Sequence, residues 1–309
     1  MIKPFVKWVG GKTQLLEKIE QNTPETIVTY VEPFVGGGSV LLHFLETRPE
    51  IKNFIISDLN NNLIDCYNCI KYNYQYNLLV EQLKHLEEGF NSTDKQKEYY
   101  YERRKEYNYL LANPDDSSKK MDGNTMVSSE YLARKSALFM FLNKTGFNGL
   151  YRVNKKGEFN VPFNNSKKFN PDFSNLKNLH KLFIERDVNF YCNSYKDCLD
   201  NTYYIDDYNP QTTFVYMDPP YKPLTNNGSE VSYTSEGFSD KEQEELKEFC
   251  DTLNETGIKF LQSNSDPIDC KFFDNLYCKY RIKRVYARRN INSNGKKRGP
   301  ITEIMIKNF

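Results

Sequence analysis

The stretch from Ile27 to Asp58 sets the narrowest limits on what this chain can fold into. An apolar run, Ile27–Val31, leads into Gly36-Gly37-Gly38, a helix-like segment Ser39–Thr47 and a second apolar run, Phe54–Ser57, that stops at Asp58. Strand, glycine turn, helix and strand in that order are βαβ grammar, which calls for a parallel sheet. The grammar resumes with Val188–Cys192, Thr213–Met217, Ile258–Gln262, Tyr280–Tyr286 and Ile301–Lys307. Residues 60–187 read differently. From Asn60 to about Leu111 the chain is helical, polar and tyrosine-rich; Pro114–Thr125 reads as a loop and Glu130–Leu142 as an apolar helix. Leu150–Phe163 reads as a β-hairpin turning at Asn154-Lys155-Lys156-Gly157. Near the start, Lys12–Glu20 reads as a short helix after a Gly-Gly turn. The expectation is an α/β domain made of residues 1–59 and 188–309, split by an insertion at 60–187. A length of 309 residues suits a domain with a second module better than one uniform core.

A formal net charge of +1 gives no global basic signature, so any nucleic-acid contact must come from local patches. Apolar runs fall far short of the 18 or so residues of a membrane span, and the N-terminal residues have no signal-peptide pattern. Seven cysteines, an odd number, point to reduced thiols and a cytoplasmic location. Cys66-Tyr67-Asn68-Cys69 has the spacing of a metal or redox pair, but no second ligand pair accompanies it and it lies in a helix-like stretch. No metal is expected.

Glu32-Pro33-Phe34-Val35-Gly36-Gly37-Gly38-Ser39 sits at the first strand-to-helix junction. Glycines there let a ligand approach the backbone and leave helix N–H groups pointing at it; a tight structural turn is the alternative. Asp58 follows Gly38 at the distance at which nucleotide folds place a carboxylate on ribose hydroxyls. Glu32 repels a pyrophosphate and favours an ammonium group, so S-adenosylmethionine fits better than NAD. Trp8-Val9-Gly10-Gly11-Lys12-Thr13 resembles the tail of a P-loop, but Val6 stands where that motif needs its leading glycine and no strand precedes it. Triphosphate hydrolysis is therefore set aside. Gly10 and Gly11 would instead let Lys12 reach the carboxylate of an amino-acid tail, and Trp8 offers a ring for an adenine; Trp8 could equally be a core residue.

After Thr213–Met217 come Asp218-Pro219-Pro220-Tyr221. Two prolines stop the strand and remove backbone donors, leaving an acceptor-rich turn between a carboxylate and a flat ring. Such a turn suits a planar ring bearing an amino group, with Asp218 and the Pro219 carbonyl accepting its hydrogens and Tyr221 stacking; a plain strand-ending turn is the alternative. The Leu150–Phe163 segment, with Arg152 and Asn154 at its rim after Phe147-Asn148-Gly149, has the dimensions of a ribbon that enters a major groove. An ordinary exposed hairpin is the alternative.

Taken together and in this order, these blocks resemble the Dam family of DNA adenine-N6 methyltransferases, from Phe5 nearly to Phe309. F-N-G-L-Y-R-x-N, G-E-F-N-V-P-F, Ser263-Asn264-Ser265 and a late Arg289…Ser293-Asn294-Gly295 add to the likeness. The resemblance implies a Rossmann-like S-adenosylmethionine-dependent fold with an inserted, mainly helical target-recognition domain carrying a β-hairpin. It places Trp8, Lys12, Asp58 and Asp218 at the methyl donor, Phe34 and Gly36–Gly38 along its pocket with Ser39 beside them, and Ser194 and Tyr195 near the donor's adenine. It implies base contacts from Lys7, Leu150, Arg152 and Pro162, a wedge at Phe147, neighbouring DNA contacts at Asn148, Asn154, Arg289 and Asn294, and base flipping in 5′-GATC-3′. Double-stranded DNA is the expected partner, with a cognate restriction endonuclease a further one and a monomeric chain expected. Cytosine-N4 or RNA methylation, and a non-catalytic DNA-binding relative, are the competing readings.

Overall fold

A computed structural model describes residues 2–114, 118–121, 124–222, 238–267, 271–288 and 300–309. The chain divides into two units. Met1–Gly11, Gly36–Leu45 and Asp58–Cys192 make the first; Lys12–Val35, Glu46–Ser57 and Asn193–Phe309 make the second.

Among the described residues the second unit holds six strands. They are β1 (Thr29–Glu32), β2 (Asn53–Ser57), β6 (Thr213–Met217), β7 (Lys259–Ser265), β8 (Arg281–Arg288) and β9 (Pro300–Lys307), numbered among the nine strands of the described residues. Their order is β2-β1-β6-β7-β9-β8. The first four are parallel, with Thr29 opposite Asn53 on one side and Thr213 on the other. β9 then pairs antiparallel with both β7 and β8. Every residue of β1 and β6 is buried, as befits parallel strands covered on both faces, and neither strand alternates apolar with polar residues. The chain leaves β1 toward β2 on one side and leaves β6 toward β7 on the other. β1 and β6 are thus neighbours at a topological switch point, and ligands of open α/β sheets bind beyond the carboxyl ends of strands at such a point. Glu32 and Asp218 stand at those two ends. A helix, Asp240–Glu255, starts with a capping box between Ser239 and Glu242 and buries Gln243, Leu246, Cys250 and Leu253 along one stripe.

The first unit is mainly helical. Its helices include Asn61–Lys71, Asn73–Asn91, Gln96–Ala112, Ser129–Thr145 and Phe173–Glu185. Ser129–Thr145 is buried nearly all round and packs on the first three of these. The sheet residues β5 (Val188–Tyr191) also belong here. Cys66 and Cys69 are buried free thiols whose burial pushes both up, the Cys69 thiol to about 11, so neither is poised for reaction. Among the described residues no cluster of three or more His, Cys, Asp or Glu side chains is placed to hold a metal ion.

Leu150–Phe163 pairs across its turn only briefly. The antiparallel bridge Val153–Phe159 is flanked by hydrogen bonds from the Asn154 amide to the Glu158 carbonyl and from the Asn160 amide to the Arg152 carbonyl, and the one other bridge among the described residues there is Gly146–Phe163. The turn at Asn154–Gly157 is there, with Asn154 Oδ1 accepting from the Lys156 and Glu158 amides. The Phe159 and Val161 backbone groups beyond it are taken by side chains of Gln96–Ala112. Asn108 bonds both the amide and the carbonyl of Phe159, and Tyr100 and Arg104 both donate to the Val161 carbonyl. One expectation for this unit needs correction: Pro114–Thr125, read as a loop, holds β3 (Ser118–Met121), which pairs antiparallel with β4 (Asn124–Val127) at the segment's end and just past it. Its short polar sequence carries no strand alternation to announce it.

Candidate active site

In the second unit the end of β6 gathers a compact ionic group. Lys12, 5 % exposed, places Nζ 2.7 Å from Asp218 Oδ2. The same ammonium lies 4.7 Å from the centroid of the Tyr221 ring, whose hydroxyl donates to Glu303 Oε2 at 2.8 Å. Asp218 Oδ1 is buried and has no hydrogen-bond partner among the described residues, although 19 % of the side chain remains open. A carboxylate with one oxygen neutralised by a lysine and the other unsatisfied is an acceptor prepared for an incoming donor. Burial pushes the Asp218 carboxyl above the usual carboxylate range, while the Lys12 ammonium pulls it back.

The turn that presents this carboxylate is held by buried amides. Gln243 Nε2 donates to the Pro220 carbonyl at 3.2 Å, and Gln243 Oε1 accepts from Asn264 Nδ2 at 3.1 Å. Asn264 Oδ1 in turn accepts from the Lys222 amide, and Ser265 Oγ donates to the Lys222 carbonyl. Prolines cannot anchor a turn through their own N–H groups, so the surroundings supply the fixing bonds. Glu303 and Gln243 are absent from the sequence reading. Gln243 leaves a signal there, a polar residue on the apolar stripe of a helix; Ser263-Asn264-Ser265 leaves another, a polar run inside a strand.

Glu32 is buried and accepts from the Tyr30 hydroxyl at 2.7 Å. Burial pushes that phenol well above its ordinary range, and Glu32, then Tyr216 and Asp218, add to the effect. Phe34 stacks on Tyr195 at 5.4 Å between centroids, with Phe238 edge-on to Phe34 and Phe249 edge-on to Tyr195. Ser194 caps the turn that begins at Tyr195, accepting from the Lys196 amide.

In the first unit, the glycine turn is shaped by its own neighbours. A Cβ on Gly36 would lie 2.8 Å from the Trp8 ring, one on Gly37 2.9 Å from Trp8 Cβ, and one on Gly38 would collide with the Tyr67 hydroxyl. Gly36 and Gly38 also have positive φ, of 47° and 75°, which only glycine adopts at no steric cost. Asp58 Oδ2 accepts from the Gly36 amide at 3.0 Å and Oδ1 from the Asn60 amide at 2.9 Å. Burial pushes the Asp58 carboxyl up and those two amides pull it down. Trp8 stacks on Tyr151 at 6.3 Å. Gly10 has φ 82°, a turn just ahead of Lys12 in the chain. Ser39 opens the helix Ser39–Thr47.

The remaining candidates of this unit surround Phe147–Leu150. Asn148 and Gly149 both have positive φ, 54° and 63°, and the Leu150 amide donates to the Phe147 carbonyl. That is a type I′ turn, for which Asn-Gly is the favoured pair. Phe147 is 49 % exposed at its start, and its amide donates to the Pro162 carbonyl. Arg152 Nε donates to Asn160 Oδ1 at 2.6 Å, and Lys7 is exposed. Arg289 and Asn294 lie outside the described residues, as does most of the polar segment after Lys222.

Comparison with known proteins agrees with this chemistry. The family described as D12 class N6 adenine-specific DNA methyltransferase matches residues 8–291. The type II methyltransferase M.MjaIII of Methanocaldococcus jannaschii is 42 % identical, over 100 % of this chain and 99 % of its own length. The type II methyltransferase M1.LlaDCHI of Lactococcus lactis subsp. cremoris is 33 % identical, over 100 % and 96 %. The DNA adenine methylase of Escherichia coli K12 is 34 % identical, over 98 % and 94 %. A mixed α/β sheet whose strand β6 ends in an acceptor-rich carboxylate turn, together with a match over nearly the whole chain, shows that the protein belongs to the D12 class of N6 adenine-specific DNA methyltransferases, which take their methyl group from S-adenosylmethionine.

Proposed function

We propose that this chain methylates the N6 amino group of adenine within 5′-GATC-3′ of duplex DNA, after flipping the base out of the helix. The observation that carries the reading is Asp218: one oxygen is held by Lys12, and the other is buried without a partner among the described residues. Adenine's amino nitrogen is a poor nucleophile because its lone pair is delocalised into the ring. Asp218 Oδ1 and the Pro219 carbonyl accept its two hydrogens, which draws the nitrogen toward tetrahedral geometry and frees the lone pair. Preorganised acceptors of this kind act by positioning and by electrostatics. When bound, S-adenosylmethionine supplies a methyl group already activated by a sulfonium. Trp8, Gly10, Gly11, Lys12, Glu32, Phe34, Gly36, Gly38, Ser39, Asp58, Ser194 and Tyr195 are the residues proposed to hold it. The unsatisfied buried acceptor beside an ammonium fits a site that takes a cationic donor together with an amine.

An amino group stacked inside a duplex cannot reach such a turn, so the base must be extruded, at a cost of about a few kcal/mol. Tyr221 is the proposed stacking ring, with Glu303 on its hydroxyl fixing its plane. Phe147, exposed on its turn, is the proposed wedge that fills the gap left behind. Lys7, Asn148, Leu150, Arg152, Asn154, Pro162, Arg289 and Asn294 are proposed DNA contacts, most of them in the segment 60–187 read as a target-recognition domain. The rest of the chain, 1–59 and 188–309, is the proposed catalytic domain. We place the enzyme in the cytoplasm as a monomer paired with an endonuclease of the same specificity. Among the described residues no helix is long and apolar enough to cross a membrane.

Incubating plasmid DNA with labelled donor and mapping the modified bases tests the reading. Label at adenine in GATC is expected. Label on cytosine, transfer to RNA in preference to duplex DNA, or adenines modified without a fixed sequence would overturn it.

A further inference from the structure

Asn143 belongs to none of the sequence blocks that point to DNA, yet its side chain ties two of them together. It lies in the last turns of the helix Ser129–Thr145 and is 2 % exposed. Its Oδ1 accepts from the Lys7 amide at 2.8 Å. Its Nδ2 donates to the Lys7 carbonyl at 2.9 Å and to the Gly149 carbonyl at 2.8 Å. Both amide hydrogens and the carbonyl oxygen are therefore used, and all three bonds go to backbone atoms of two segments far apart in sequence. Gly149 lies so close to Lys7 that a Cβ there would collide with the Lys7 side chain. Gly149 is also one of the two positive-φ residues of the type I′ turn that exposes Phe147. A backbone fixed through a buried, fully satisfied amide has one arrangement rather than many, because any other leaves buried polar groups unpaired.

We propose that Asn143 is a positioning residue for base recognition: its amide sets Lys7 and the Phe147–Leu150 turn in one register, so that both address the same site. The proposal rests on the reading above, in which Lys7 and the Phe147–Arg152 segment meet the bases. Asn143 itself touches no DNA. Its effect is on discrimination, since a misplaced contact fails on the right sequence while leaving wrong sequences as poor as before.

Asn143→Asp tests it. The substitution keeps the size and the acceptor for the Lys7 amide, and it puts an oxygen where two N–H groups met carbonyls. Methylation kcat/KM is measured on the cognate duplex and on duplexes with one base pair changed. The ratio between them is expected to fall by about tenfold or more, the scale of one lost bidentate base contact. Gly149→Ala, which disturbs the same junction from the other side, should lower the same ratio, and it decides the matter if Asn143→Asp does not fold. Lys7→Ala and Phe147→Ala are measured in parallel. If neither alters the ratio, the base-contact reading itself is wrong. If both lower it while the folded Asn143→Asp enzyme, or Gly149→Ala in its place, keeps the wild-type ratio, Asn143 does not position them. An equal loss on every duplex would assign Asn143 to stability alone and also overturns the proposal.

Discussion

Replacing Gln243 by Met tests whether the active-site turn depends on its buried amide clamp. Met preserves length and apolar bulk on the helix Asp240–Glu255, so the change is one of hydrogen bonding. Two groups lose the partner they have now: the Pro220 carbonyl, and Asn264 Nδ2, whose own oxygen holds the Lys222 amide. A buried polar group left unsatisfied costs about 1–3 kcal/mol, so the pair is worth about 2–6 kcal/mol. Even the lower end, about 2 kcal/mol, is about a thirtyfold shift in the balance between an ordered turn and a displaced one. Asp218 and Pro219 precede Pro220 directly, so that shift falls on the two proposed acceptors. The assay is single-turnover methylation of a duplex oligonucleotide with saturating donor, with donor affinity measured separately by calorimetry. A rate reduced by about thirtyfold or more, with donor affinity changed by less than about threefold, is expected, each tenfold in rate corresponding to about 1.4 kcal/mol. A folded Gln243→Met enzyme whose rate stays within about threefold of wild type would show that the turn holds its geometry without the clamp.

Three further outcomes are expected. Asp218→Ala should abolish methyl transfer while donor binding, followed by calorimetry, survives; near-normal turnover would remove the acceptor role. Burial holds the Asp218 carboxyl above its usual range and the Lys12 ammonium pulls it down. Activity needs the ionised form, so the rate is lost as pH falls through this raised value, and Lys12→Met should move that acid limb to still higher pH in a single-turnover pH profile. Gly38→Ala brings a Cβ against the Tyr67 hydroxyl at a positive φ. A loss of about 1–3 kcal/mol is expected by denaturant titration, and Tyr67→Phe in the same chain should restore part of it, since the colliding atom is then gone.

How far the sequence could be read depended on where each segment finds its partners. The strand Thr213–Met217 and its abrupt end at Asp218 were legible because a doubly buried parallel strand is apolar throughout and proline acts on its immediate neighbours. The helix Ser39–Thr47 was equally plain, being apolar-periodic and preceded by glycines. Leu150–Phe163 was legible only next to its turn, where Asn154 and Asn160 bond across to Glu158 and Arg152; farther along, the Phe159 and Val161 backbone bonds go to Asn108, Tyr100 and Arg104, side chains from a helix earlier in the chain. The glycine turn was recognisable as a close approach, yet the neighbours that require Gly36 and Gly38, Trp8 and Tyr67, come from other segments. The carboxylate at the end of β6 was visible in one dimension; the lysine on its Oδ2, the glutamate on Tyr221 and the amides beneath the turn emerge only from the fold.

The segmented make-up of the sheet unit has a consequence for how the protein is made. Its strand β1 pairs with β2 soon after both are synthesised, but its other edge waits for Thr213–Val215. The first unit needs no residue beyond Cys192 and can be complete while that edge is still open. A growing chain therefore carries a parallel strand with one edge unpaired throughout synthesis of the helical segment. Such long-range pairing is slow and is exposed to association with other chains. Low temperature during expression, or chaperones that shield nascent apolar strands, should raise the yield of soluble enzyme more than they would for a protein whose sheet closes in sequence order.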